Sequence, residues 1–241
     1  IVVISIIRDV VVIEATYAQS AVINDGKKVG YIKLPSFYAD FNHRGGRSCS
    51  GDVEKELIKL KNEGVQGIIL DLRDNGGGSL EDVVRMGGQF IDHGPIVQVK
   101  SSNGEPEVKS DRNPDAVYDG PLVIMVNSHS ASASEILAAV IQDYKRGIIV
   151  GTESTFGKGT VQRFVDLDEM LTPAYAYAKP LGSVKFTMQK FYRINGGATQ
   201  LKGVVPDIIF PDPYKYSENG EKDQDYPMKW DEIAKATYMP W

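Results

Sequence analysis

Residues 122–151, LVIMVNSHSASASEILAAVIQDYKRGIIVG, decide the fold. Five consecutive apolar residues, Leu122 to Val126, form the pattern of a strand covered on both faces. From about Ser132 the period changes: Ile136, Leu137, Val140, Ile141 and Tyr144 fall on one face of a helix. Gly147-Ile148-Ile149-Val150-Gly151 then restarts a strand. A buried strand, a helix and another buried strand in direct succession imply an α/β core.

The same alternation extends outward. Upstream, Val53, Leu57 and Leu60 recur at helical spacing between the cap candidates Ser50 and Asp52 and the terminating Gly64. Gly67-Ile68-Ile69-Leu70-Asp71-Leu72 is a second buried strand, followed by the turn Asn75-Gly76-Gly77-Gly78 and a helix from Ser79 to Phe90. Ile96 to Lys100 reads as a strand with a hairpin turn at Asn103-Gly104. Nearer the start, Gly30 to Leu34 is a strand stopped by Pro35, and Ile1 to Ile23 reads as two β-rich stretches around Arg8-Asp9. Asn42 to Ser48 has no periodicity and is expected to be a loop. Downstream, Ala174 to Lys179 belongs to a variable excursion, and Lys185 to Ile194 forms a long strand ending in the turn Asn195-Gly196-Gly197. Tyr214 to Asp225 is polar, and a closing helix is expected around Trp230 to Thr237.

Composition narrows the function classes. The 241 residues are 42% hydrophobic and 24% charged, enough for a real core. Net charge is 27 − 32 = −5, which argues against nucleic acid or an anionic membrane as partner. The single cysteine, Cys49, allows neither a disulfide framework nor a cysteine zinc cluster, and His43, His93 and His129 lack the short spacings of a metal site. The apolar run from Ile1 is broken at Arg8-Asp9, short of the ~20 residues a membrane helix needs. With no initiator Met and no leader pattern, that start is expected to be a strand exposed within a longer parent chain.

Three segments could carry chemistry. Ser130-Ala131-Ser132-Ala133-Ser134-Glu135 enters a helix, where backbone N–H groups are unpaired and alanine neighbours let a carbonyl approach. A serine there suits a nucleophile, although three serines before a helix also suit simple caps. In Phe156-Gly157-Lys158-Gly159-Thr160-Val161-Gln162, positions 158, 160 and 162 of a strand share one side, so Lys158 and Gln162 can act on one site, and the flanking glycines leave room to cover the lysine. A lysine base must be neutral, so burial has to lower its pKa from ~10.4. Asp71-Leu72-Arg73-Asp74-Asn75-Gly76-Gly77-Gly78 ends a strand in glycines able to aim N–H groups at a developing oxyanion. Arg73 and Asp74 are expected to organise that loop rather than react. His129 lies near Ser132, but no obvious Asp orients its ring, so a Ser-His pair is disfavoured.

Together these residues resemble the carboxy-terminal processing (tail-specific) peptidases, a family of Ser-Lys endopeptidases. The likeness continues through Gln189-Lys190-Phe191-Tyr192-Arg193, Lys202-Gly203-Val204 and Pro206-Asp207-Ile208-Ile209 to Trp230-Asp231 near the end, and is strongest toward the periplasmic tail-specific proteases of Gram-negative bacteria. The resemblance implies a Clp-protease/crotonase-like α/β spiral core with flanking β-strands. It makes Ser132 the nucleophile, Lys158 the general base and Gln162 the residue orienting it. The backbone N–H groups of Gly78 and Ala133 become the oxyanion hole, with no metal or organic cofactor. It further implies polypeptide substrates chosen by their C-terminal tails, and a periplasmic setting. Residues 1–241 would be the peptidase core, with 1–30 an N-terminal β segment and 212–241 a tail. The family's PDZ domain and other flanking segments would lie in the parent chain, before Ile1 in the case of the PDZ. Two departures stand out: Gly151 to Thr155 is one residue longer than the family pattern, and the loop from Asn42 to Ser50 is expanded. A non-catalytic peptide-binding module on the same fold, and a crotonase-like acyl-CoA enzyme, are the competing readings.

Overall fold

The computed structural model describes residues 13–40, 46–212, 214–217 and 219–241. The first of the two β-rich stretches expected before Ile23, and His43, lie outside the described residues. Among the described residues the ten strands in chain order are Gln19–Asn24 (β1), Lys28–Lys33 (β2), Ile68–Asp71 (β3), Gly94–Ser101 (β4), Glu107–Asp111 (β5), Leu122–Val126 (β6), Ile148–Gly151 (β7), Thr160–Asp166 (β8), Ser183–Tyr192 (β9) and Ile208–Ile209 (β10). The α-helices among the described residues are Cys49–Asn62 (α1), Leu80–Gly88 (α2) and Ala133–Asp143 (α3).

The strands form two sheets. One has the order β1-β2-β3-β6-β7-β10, and the other β5-β4-β9-β8. In the first sheet β2, β3, β6, β7 and β10 run parallel and only the edge strand β1 is antiparallel. This is the α/β core that the buried runs at Ile68 and Leu122 imply. The second sheet is antiparallel throughout. Helix α3 packs on β7 of one sheet and on β4 of the other and so lies between the sheets, while α2 packs on α3, β4 and β5. That position explains why α3 is buried continuously from Ala133 to Ile141 rather than along the single stripe its sequence suggests.

Helix α1 is rich in lysine and glutamate, yet it buries Val53, Leu57 and Leu60 completely. Each such side chain contributes ~1.5–3 kcal/mol, enough to hold an otherwise solvated helix against the core. Its N-cap is Ser48, whose hydroxyl accepts from the Gly51 N–H, not Ser50 or Asp52. Those two side chains are drawn elsewhere: the Ser50 hydroxyl donates to Asp82 at 2.6 Å, and Asp52 accepts from the Tyr38 hydroxyl at 2.8 Å.

The closing helix expected around Trp230 to Thr237 does not form; the segment is extended. Its backbone groups pair with residues 194–198 rather than with one another. The N–H of Ala198 donates to Asp231 O at 3.2 Å, Ile233 donates to Gly196 O at 2.9 Å and Ala236 to Ile194 O at 2.8 Å. The Trp230 indole N–H donates to Ala198 O at 2.9 Å, and Lys202 Nζ lies 3.3 Å from the centre of its ring. The tail is therefore a strap along residues 194–203. Trp230→Ala removes one hydrogen bond and one cation–π contact from a half-buried site, so denaturant unfolding is expected to show a loss of ~1–3 kcal/mol. An unchanged midpoint would mean the strap contributes nothing to the fold.

Candidate active site

Three loops leave the carboxyl ends of three adjacent parallel strands, where open α/β sheets hold their ligands. Asp71 at the end of β3 lies beside Met125 of β6, and Val126 beside Gly151 of β7. Strand β3 leads into the glycine turn and α2, β6 into Ser132 and α3, and β7 into the Lys158 segment and β8. The three segments singled out in the sequence are thus neighbours because their strands are.

Buried side chains tie the loops together. Asn75 is fully buried; its Nδ2 donates to Leu34 O at 2.8 Å and its Oδ1 accepts from the Gly77 N–H at 2.9 Å. Its carbonyl accepts from the Ala131 N–H at 3.0 Å and from the Ser134 hydroxyl at 2.8 Å. The Ser130 hydroxyl donates to Leu72 O at 2.8 Å. Ser130 and Ser134 are both completely buried with their hydroxyls engaged, which separates them from Ser132. Ser132 is only half-buried and makes no side-chain cap bond to the helix it precedes.

The Ser132 backbone has φ 57°, a left-handed conformation that a serine adopts only at a cost of order 1–3 kcal/mol. The glycine turn lies directly against it. A Cβ on Gly77 would sit 2.8 Å from Ser132 Cβ, and one on Gly78 would sit 2.2 Å from Phe37 O. Gly78 bridges Phe37 through the neighbouring groups, Phe37 N–H to Gly77 O at 2.9 Å and Ser79 N–H to Phe37 O at 2.8 Å. Its own N–H is consequently turned away from Phe37. Ala133 follows Ser132 as the first helical residue, so its N–H is one of the donors a helix leaves unpaired.

Glu135 joins the serine to the lysine. It is wholly buried, and its carboxylate accepts from the N–H groups of Ser132 at 2.8 Å, Gly157 at 2.7 Å and Lys158 at 2.9 Å, and from the Thr155 hydroxyl at 2.6 Å. Removal from water pushes its pKa up to about 7, against the pull of those four donors. Thr155 belongs to the stretch that is one residue longer than the family pattern, and its hydroxyl also accepts from the Val204 N–H at 2.7 Å.

Lys158 Nζ donates to Gln162 Oε1 at 3.1 Å, so the two side chains do meet. A bulge between Val161 and Gln162 in the pairing with β9 accompanies that approach. Burial holds the Lys158 pKa below the ordinary lysine value; the Lys185 charge adds to the effect, while Glu221 and Glu135 oppose it. The Gly159 beside it serves the close approach of the Gln200 backbone rather than the lysine, since a Cβ there would lie 2.7 Å from the Gln200 N. A cavity of about 180 Å³ is lined by Gly78, Ser132, Ala133, Lys158, Gln162 and Lys185, with Ile136 and Phe191 among its apolar walls. All five residues expected at the site therefore meet at one cavity.

Other residues lie apart from it. Arg73 pairs with Asp71 through two nitrogens, and Asp74 Oδ1 accepts from Asn127 Nδ2 at 2.8 Å, so both organise their loop. Contrary to the sequence reading, His129 does have an Asp beside it: Nδ1 lies 3.5 Å from Asp74 Oδ1. This pair is exposed and lines a separate cavity of about 450 Å³. Glu135, Asn75 and Lys185 were given no role from sequence. The Ser132-to-Glu135 spacing is a capping-box pattern and could have flagged Glu135; nothing local marks the other two.

The chain is similar to known proteins. The family model for peptidase family S41 matches residues 28–210. The tail-specific protease of Haemophilus influenzae is 44% identical over 244 residues, covering 98% of this chain and 32% of that protein. The carboxy-terminal processing protease CtpA of Bacillus subtilis is 33% identical over 205 residues, covering 85% of this chain and 39% of that one. Among solved structures, the photosystem II D1 C-terminal processing protease aligns with a TM-score of 0.64 at 28% identity, over 80% of this chain and 48% of that chain. Mature CPAF, at 16% identity and a TM-score of 0.62, shares the fold. The chain thus spans about a third of the Haemophilus protein and under half of the other two proteases. It has the Clp-protease-like fold and belongs to peptidase family S41.

Proposed function

We propose that this chain is the catalytic core of a serine endopeptidase that cleaves extended polypeptide through an acyl-enzyme. The observation that carries the reading is that Ser132, unlike Ser130 and Ser134, keeps its hydroxyl out of the capping and loop bonds and shares one small cavity with a partly desolvated lysine. Neutral Lys158 takes the Ser132 proton as Oγ forms a bond to the scissile carbonyl carbon. The carbonyl electron pair moves to oxygen, where the N–H groups of Gly78 and Ala133 and the positive end of α3 receive it; one such donor is worth ~10²–10³ in rate. Collapse of the tetrahedral intermediate expels the amine, which leaves with the proton held by Lys158. Water then attacks the acyl-enzyme, again losing its proton to Lys158, and restores Ser132. Gln162 keeps the ammonium nitrogen directed at the cavity.

Strand β8 begins two residues beyond Lys158 and forms an edge of its sheet among the described residues. A substrate laid along that edge in extended form would have its backbone, rather than one side-chain sequence, recognised. Selection by C-terminal tails, a PDZ domain of the parent chain that captures them, and a periplasmic setting belong to the same proposal; the support is the resemblance to tail-specific proteases. Among the described residues no helix is long and apolar enough to cross a membrane.

In the full-length protein, Ser132→Ala and Lys158→Ala are each expected to reduce cleavage of a reduced, carboxymethylated protein by at least ~10³-fold. Full activity in either variant refutes the mechanism, and inactivity of the wild type favours the binding-module reading. Because the Lys158 pKa is lowered and the neutral amine is the reactive form, kcat/KM should rise with pH to a midpoint below ~10.4. A flat profile contradicts a lysine base. Glu135→Gln sets an amide NH2 against N–H donors and displaces both loops, so kcat should fall by up to ~10²-fold with KM little changed; an unaffected kcat would remove Glu135 from the site's support.

A further inference from the structure

Resting on the Ser-Lys reading above, we propose that Lys185, a second cation on the rim of the catalytic cavity, holds Lys158 in the neutral form in which it can accept the serine proton. Lys185 is a positioning residue of an electrostatic kind: it acts on the base and not on the substrate.

The geometry starts from strand register. Past the bulge in β8, Gln162 pairs with Thr187 and Phe164 pairs with Lys185. Residues two apart on a strand, and their cross-strand partners, share one face. Lys185 is therefore on the face of the β8–β9 hairpin that carries Gln162, the residue accepting from Lys158 Nζ at 3.1 Å. Lys185 Nζ lies 5.5 Å from the centre of the Phe164 ring, which anchors an otherwise exposed side chain over the hairpin. It lines the same cavity as Ser132 and Lys158. Among the described residues it has no carboxylate within ion-pair distance, so its charge is not cancelled locally.

The groups facing Lys158 divide by sign. Glu135 from α3 and Glu221 from the Glu221–Asp223 turn favour its ammonium form; Lys185 from β9 opposes it. Both acids are already engaged, Glu135 by four donors and Glu221 by Gln200 Nε2 at 3.1 Å, so neither swings away to relieve the lysine. Two like charges near a protein surface interact strongly enough to change a protonation equilibrium, and a neighbouring cation is an established way to activate a lysine. Because Lys185 is exposed, salt weakens its effect.

The test compares kcat/KM against pH for the full-length protein and its Lys185→Gln, Lys185→Arg, Lys185→Glu and Lys158→Ala variants, on an extended fluorogenic peptide without charged side chains. Lys185→Gln is expected to lose about 3-fold or more at pH 7 and to reach the wild-type plateau at high pH, since a higher base pKa leaves less of the neutral form at neutral pH. Lys185→Arg should keep the wild-type profile, and Lys185→Glu should lose more than Lys185→Gln. Added salt should bring the wild type toward Lys185→Gln. A Lys185→Gln profile superimposable on the wild type overturns the proposal. So does a change in KM alone with an unmoved pH midpoint, which would make Lys185 a substrate-holding residue. Retained activity in Lys158→Ala overturns the Ser-Lys reading itself, whatever the Lys185 variants do.

Discussion

The site depends on one buried carboxylate. Glu135 reaches back from the first turn of α3 to the Ser132 N–H and forward to the N–H groups of Gly157 and Lys158. A carboxylate without water is costly unless its oxygens are saturated, and here each oxygen accepts from two donors. The energetic demand fixes geometry: the serine loop and the lysine loop, carried by different strands, cannot shift independently without stranding a donor. Neither loop is positioned by side-chain packing alone.

Around that link the backbone carries strain in a defined place. The positive φ of Ser132 and the close approach of Gly77 and Gly78 leave the serine hydroxyl and the nearby N–H donors facing one small cavity. The cost is offset by the surroundings, above all the fully buried α3 and the hydrogen bonds of Asn75, Ser130 and Ser134. Two of the three serines in the motif thus build the frame in which the third is free. The extended C-terminal strap extends the frame, since Gln200 joins the Gly159 N–H to Met228 O.

Much of this was legible in the sequence, for physical reasons that also explain the failures. The parallel strands at Ile68 and Leu122 are short apolar runs, a signal that burial on both faces imposes directly. That Lys158 and Gln162 can act together could be read from their sharing one side of a strand, whereas their meeting with Ser132 was implied by the resemblance to the Ser-Lys peptidases. The C-terminal segment was misread as a helix because its hydrogen-bond partners are residues 194–198, distant in sequence, and no local periodicity records them. The Ser48 cap was missed for a similar reason: Ser50 and Asp52 are equally good caps by type but are engaged by Asp82 and Tyr38 from other elements. Lys185 was invisible because its position over the cavity comes from strand register, which a linear reading does not supply.

The central claim is that Ser132 becomes covalently attached to the acyl half of the substrate with Lys158 as the proton acceptor. Intact-mass and peptide-mapping analysis of the full-length protein, quenched during turnover of an activated peptide ester, tests it most directly. The account predicts an acyl mass on Ser132, none on Ser130 or Ser134, and strongly slowed labelling in Lys158→Ala. Label on another residue, or undiminished labelling of Ser132 without Lys158, would contradict it.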